Sequence, residues 1–277
     1  MRRALLITSV LAALLVAAPA AWATTQTAHA GNVTATFTFK GSFPNYSRER
    51  LKIAQGSTVF YNEPVTSEFC KPCAPALSLP GQRSSVHVID LEHDGQPDVI
   101  LSLYSGGAHC CTVFQIYSFD PGTMTYGLTE RNFGDPLVRI LDIAHNGRYE
   151  LVTADDSFAY EFAPFAGSGL PIEILTYSGH KFTNVTRHYP KLVTKDAALY
   201  LKGFKLTVED HYQGGTGLIA AWAADEDLLG HVKAVRTYLN QQAAAGHLNS
   251  GSNQEWPSGK KFVAKLQKFL RKHGYLK

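Results

Sequence analysis

The stretch Val86-His-Val-Ile-Asp-Leu-Glu-His-Asp-Gly-Gln-Pro-Asp98 decides how the chain is built. A short apolar run leads into acidic side chains at Asp90, Glu92, Asp94 and Asp98, with Gly95 among them. Calcium takes about six to eight oxygen ligands, and a loop supplies them as alternate carboxylates. Asp90, Glu92 and Asp94 stand at loop positions suited to that task; Gln96 adds an amide oxygen and Asp98 closes the set. The pattern returns 52 residues later, where Val138-Arg-Ile-Leu-Asp-Ile-Ala-His-Asn-Gly-Arg-Tyr-Glu-Leu-Val152 aligns without a gap. A fixed internal period signals repeat architecture. The second loop keeps Asp142, Asn146 and Glu150 but has Ala144 where the first has Glu92, so it is expected to be a weak calcium site. One bound calcium, in the first loop, is the expectation.

Working outward, residues 32–185 read as β structure. Residues 32–40 alternate apolar and polar at period 2, and residues 50–53 and 57–61 are short β-rich runs. The first repeat, 86–137, offers strands at 86–89, 99–104, 112–119 and 123–128. The second, 138–189, offers 138–141, 150–153, 158–162 and 172–177, with 181–185 after a Gly-His turn. After Pro190 the period changes to 3.6. A helix is expected from Asp196, with Thr194 as its N-cap, followed by alanine-rich helices and a last helix over 258–273. In that last helix Phe262, Leu266, Phe269 and Leu270 share one face and lysines cover the other. The fold class is therefore α+β: propeller-like four-stranded repeats, not closed into a ring, over 24–189, and a helical region over 190–277.

Residues 1–23 read as an export signal, with Arg2 and Arg3 before an apolar core of about 13 residues, short of the ~20 that span a bilayer. Ala21-Trp-Ala23 is the expected cleavage site, with Ala28-His-Ala30 as a second possibility. The mature chain is expected to be secreted or periplasmic, without a transmembrane segment. Of the 26 basic and 23 acidic residues, two arginines leave with the signal. The near-neutral remainder argues against nucleic acid as a partner. In an exported chain, Cys70, Cys73, Cys110 and Cys111 imply two disulfides with three possible connectivities. Bridges between the two pairs are preferred, because a vicinal Cys110–Cys111 bridge is strained.

The spacing of Asp90, Asp94, Gly95 and Asp98, followed by the apolar run 99–103, resembles the FG-GAP or VCBS-type repeats of integrin-like propellers. That resemblance implies a calcium-holding loop between two strands of a blade. Ser105-Gly-Gly-Ala-His-Cys-Cys111, Ala154-Asp-Asp-Ser-Phe-Ala-Tyr160 and Phe182-Thr-Asn-Val-Thr-Arg187 resemble an uncharacterised group of exported bacterial proteins.

Motifs for a nucleophile elbow, a phosphate loop, a zinc protease or a dinucleotide fold do not occur in the sequence. Ser105 and His109 share a turn but are not spaced as a nucleophile and its base. Asp155 and Asp156, read at a strand end, would face opposite sides. Glu209, Asp210, His211 and Tyr212 precede a glycine-rich break. The expected function is a secreted, calcium-stabilised binding protein whose partner is a protein, a glycan or a component of the cell envelope. The alternative is a secreted hydrolase acting between the β and helical parts.

Overall fold

The computed structural model describes residues 23–76, 83–212, 214–250 and 256–276. The expected signal segment lies outside these residues, apart from Ala23. Strand β1 (Ala23–Ala30) opens the described chain and runs antiparallel to β2 (Val33–Ser42) in a register that pairs Ala30 with Val33. The second candidate cleavage site is thus part of a paired strand. β3 (Asn45–Gln55) and β4 (Thr58–Pro64) complete an antiparallel meander, the N-terminal sheet.

The central sheet holds β5 (Ala74–Pro75), β6 (Val86–Ile89), β7 (Asp98–Gly107), β8 (Cys110–Asp120) and β9 (Thr125–Asn132). Both β5 and β6 pair with β7, which continues through β8 to β9. The third sheet is a meander of β10 (Arg139–Leu141), β11 (Glu150–Ala154), β12 (Ile172–Ser178) and β13 (Lys181–Asn184).

The side-chain pattern shows how the sheets stack. In β2 only alternate residues Val33, Ala35, Phe37 and Phe39 are buried, so one face meets the core and a threonine-rich face is left outside. In β7 every residue from Asp98 to Leu103 is buried, because the central sheet is covered on both sides. Val99, Leu101 and Leu103 join the core shared with the N-terminal sheet. Ile100, Phe114 and Ile116 face the other way, onto Leu151, Leu175 and Tyr177 of the third sheet. The three sheets stand in a row and do not close into a ring.

The two loops share one hydrogen-bond scheme. In the first loop Asp90 Oδ1 and Oδ2 accept the amides of Asp94 and Gly95, and Asp94 accepts from Gln96 N. Asp142 accepts from Asn146 and Gly147 in the same way, and Asn146 accepts from Arg148 N. Asp98 and Glu150 close their loops by accepting from Leu91 N and Ile143 N.

Residues 158–162, expected as a strand, form no strand. They follow a 3₁₀ turn at Asp156–Phe158, and Phe158 and Phe162 are buried among the helices. Helix α1 (Pro190–Glu209) starts six residues before the expected Asp196. Pro190 supplies its first position and Tyr189 its N-cap, so Thr194 lies inside it. α2 (Thr216–Leu228) abuts the preceding loop so closely that a Cβ on Gly217 would lie 2.1 Å from the Gly167 carbonyl oxygen. α3 (Val232–Ala244) and α4 (Gly259–Lys272) follow. α4 carries Ser258 at its N-cap and buries Phe262, Leu266 and Leu270. No helix among the described residues is long and apolar enough to cross a membrane.

Arg187, in the 3₁₀ turn after β13, fastens the helices to the third sheet. Its Nη1 donates to the carbonyls of Asp227 and Leu228 at the end of α2, and its Nη2 to those of Gly274 and Tyr275 just beyond α4. A guanidinium offers several donors in one plane and sits well at the negative ends of two helices. Arg187→Ala is expected to lower stability by about 3 kcal/mol, as four carbonyls lose a charged donor. Urea denaturation followed by circular dichroism checks this, and Arg187→Lys should recover only part of the loss.

Candidate functional site

The acidic loop does not assemble the expected calcium ligands. Among the described residues no three side chains of His, Cys, Asp or Glu are grouped as a metal would need. Glu92 reaches the neighbouring sheet, where its oxygens accept from Ser178 Oγ at 2.7 Å and Gly179 N at 3.0 Å. Asp98 is buried and held by Ser118 Oγ at 2.5 Å and Leu91 N. Gln96 contributes its amide N–H to the turn. Burial pushes the Asp98 carboxyl up to about 7, against the lowering effect of those hydrogen bonds. In this conformation the donor set does not fit a six-oxygen cage.

The second loop explains its own departures in the same terms. Ala144 stands where no further hairpin needs to be clasped. Glu150, one carbon longer than Asp98, reaches Tyr189 Oη at 2.6 Å as well as Ile143 N. Asp90→Ala and Asp142→Ala are therefore expected to lower the melting temperature comparably, whether calcium or a chelator is present. A calcium-dependent loss confined to the Asp90 variant would return the ion to the first loop.

The disulfides correct the preferred pairing. Cys70 bonds to Cys73 with 4.9 Å between Cα atoms, and Cys110 bonds to Cys111; no described cysteine is free. Each pair is closed within its own turn, so neither has to reach the other. The vicinal bridge lies at the start of β8, on the rim of a cleft of about 390 Å³ between the central and third sheets.

Carboxylates from both sheets line this cleft. β11 ends at Ala154, so Asp155 and Asp156 leave the strand and enter a tight turn. The strand alternation that would separate them does not apply, and both line the same cleft. Asp155 caps the turn through Ser157 N and accepts from Tyr275 Oη at 2.7 Å. Asp156 accepts from Asp135 N and is raised above the ordinary carboxylate range, chiefly by burial and further by the charges of Asp135 and Asp155. A Cβ on Gly134 would lie 2.0 Å from Asp156 Oδ2, so only glycine lets that carboxylate seat there. Glu173 on β12 pairs with Arg131 at 3.1 Å and accepts from Asn184. Burial raises Glu173 too, opposed by Arg131. The guanidinium of Arg131 lies 5.0 Å from the Phe133 ring centroid and 5.2 Å from that of Phe182.

A second cleft of about 510 Å³ shares Asp155 and Glu173 and extends to Arg187, His188, His273 and Tyr275 beneath the helices. The two together form a polar seam where the β and helical parts meet.

No protein-family model matches the chain, and no solved structure does. It is similar to an uncharacterized protein of Sinorhizobium fredii (strain NGR234), 28% identical over 170 residues that cover 58% of this chain and 24% of that protein. It is also similar to a probable thylakoid lumen protein of Synechocystis sp. (strain PCC 6803), 24% identical over 159 residues that cover 53% of this chain and 44% of that protein. The chain thus spans less than half the length of these curated relatives.

The remaining sequence candidates lie apart from one another. Ser105 Oγ accepts from Cys111 N, whereas the His109 ring stacks at 4.0 Å on Phe165. Glu209 closes α1, and Tyr212 beyond it is exposed. Arg131, Glu173 and Tyr275 carry no motif. They join the site because their strands and helix meet there.

Further acids are buried behind the seam. Asp225 on α2 is fully buried, and the side chain it meets is another acid, Asp196 on α1. Burial raises its carboxyl, and the charge of Asp196 on α1 raises it further. Asp227 is pushed up to about 7 by burial, against Arg187. Each acid has a folded value above its unfolded one, so its contribution to stability is complete below about pH 4 and is lost as pH rises toward 7 and beyond. The melting temperature is expected to be higher near pH 5 than near pH 8. Asp225→Asn should raise it near pH 8 and change it little near pH 5; an equal shift at both would show that Asp225 does not titrate in this range.

Proposed function

We propose that the chain acts outside the cytoplasm as a binding protein whose ligand enters the cleft between the central and third sheets. The observation that carries this reading is the cleft itself. Arg131, Asp155, Asp156 and Glu173 line it, and protein hydrogen bonds or an ion pair already fix each carboxylate. Side chains held in place before a ligand arrives lose little entropy on binding. The bridged cysteines and the similarity to a probable thylakoid lumen protein of Synechocystis support an extracytoplasmic setting. The ligand sought is a glycan or another component of the cell envelope. Calcium is not needed by this reading, because the acidic loops are held by their own amides.

One observation favours hydrolysis as a second reading. Three carboxylates line one cleft, and burial raises Asp156 and Glu173 above the ordinary range, as a general acid requires.

Co-sedimentation of the purified protein with isolated bacterial envelopes tests both readings. Saturable binding that falls about tenfold in Arg131→Ala and Asp156→Ala supports the cleft. Undiminished binding by both variants moves the ligand elsewhere. Release of reducing ends or peptide termini by the wild type, absent in Asp156→Ala, would establish the hydrolase.

A further inference from the structure

Three rings stand close in the chain to residues of this cleft, His109 and Tyr160 exposed and Phe165 half-buried, and the acids do not account for them. The hairpin between β7 and β8 carries His109 immediately before the vicinal disulfide, and its ring meets Phe165 at 4.0 Å and Tyr160 at 6.4 Å. Tyr160 and Phe165 are 5.5 Å apart. Tyr160 is 52% exposed and has a positive φ of 61°. A bulky residue rarely adopts that conformation. Tyr160 is held in it at both ends of the residue: its N–H donates to Ser168 Oγ at 3.1 Å, and its carbonyl accepts from Trp256 Nε1 at 2.8 Å. An unfavourable backbone that keeps a large ring in water calls for a reason outside the fold.

We propose that the cleft and these rings together bind a neutral oligosaccharide, one pyranose ring lying on Tyr160 beside the His109–Phe165 stack while neighbouring hydroxyls reach Asp155, Asp156 and Arg131. The proposal rests on the cleft being the ligand site and names the class of ligand. A pyranose has a face of C–H groups with slight positive charge and a rim of hydroxyls. Aromatic faces, which are electron-rich, suit the first. Planar carboxylates and a guanidinium can each engage two hydroxyls and so suit the rim.

Two other ligand classes match less well. An anion would meet the carboxylates of Asp155, Asp156 and Glu173. A purely apolar ligand would leave those groups desolvated without partners. A cation can pair with Asp155 or Asp156, since Arg131 stands against Glu173 alone, and the putrescine titration decides that case. The polymer need not be bacterial: a free oligosaccharide and an envelope-bound chain present the same chemistry.

The test is calorimetric titration of the full chain with maltotriose, cellotriose and the trimer of N-acetylglucosamine, with putrescine as a cationic control. The same titrations are followed by Trp256 fluorescence, since that indole is bonded to the Tyr160 carbonyl. Saturable binding of at least one neutral trisaccharide is expected, weakened about tenfold by Tyr160→Ala and by Asp156→Ala. Leu206→Ala, an exposed site on α1, should leave it unchanged. Tyr160→Phe keeps the ring and should keep most of the affinity, which separates loss of the ring from loss of the fold. Binding of putrescine alone, or sugar binding indifferent to Tyr160→Ala, overturns the proposal. If no trisaccharide binds but envelopes still sediment the protein through Arg131 and Asp156, the carbohydrate falls and the cleft stands. If Arg131→Ala and Asp156→Ala also leave envelope binding unchanged, both fall.

Discussion

The third sheet is apolar on both faces, and the arrangement after Pro190 follows from the need to cover the second one. Leu151 and Leu175 are cross-strand partners packed toward the central sheet. Their neighbours Val152 and Ile174, also cross-strand partners, must therefore point the other way, and both are buried. Left open, that face would expose a strip of apolar side chains on an otherwise complete sheet. Helix α1 packs against β12 there, with Asp196 accepting from Ile172 N, and Arg187 ties the ends of α2 and α4 to the turn after β13. The N-terminal sheet has no such need, because its outer face alternates to threonine. A row of sheets with one polar end and one capped end requires no ring closure.

Covering a sheet with helices also creates a seam, and the seam contains the site. Asp155 belongs to the β part and Tyr275 to the helical part, yet they share a hydrogen bond. Arg187 holds the Tyr275 backbone on one side while its own turn follows β13 on the other. The geometry of the cleft is thus set by how the helices dock, and residues far apart in sequence become one polar surface. Burial at the same seam keeps several acids above their ordinary range.

What the sequence made legible was whatever depends on period and local turn chemistry. The apolar run 99–103 marked a strand, and the change of period near Pro190 marked the passage to helices. The 52-residue repeat predicted two loops of one design, and their amide bonds match position by position. Strand β1 was harder to read, because its threonine-rich run carries almost no apolar signal. Residues 158–162 alternate as a strand would, yet Asp155 caps a turn ahead of them and sends both phenylalanines among the helices. The disulfide pairing is local, Cys70 with Cys73 and Cys110 with Cys111, so the close spacing within each pair was the signal that a preference for cross-linking passed over.

Glu92 shows the same limit at a single residue. In the sequence it completes a row of carboxylates that invites a cation. In the fold it leaves the row and clasps the next sheet's hairpin through Ser178 and Gly179. Its counterpart Ala144 then records a missing neighbour: the third sheet is followed by helices, so no hairpin stands there to be held. Repulsion among Asp90, Asp94 and Asp98 is relieved in part because Asp90 and Asp94 accept backbone amides and Asp98 is buried with a hydroxyl donor. The same row of acids can therefore be a structural device whose chemistry is directed inward, while the acids that face open space, Asp155 and Asp156, come from a turn that the periodicity concealed.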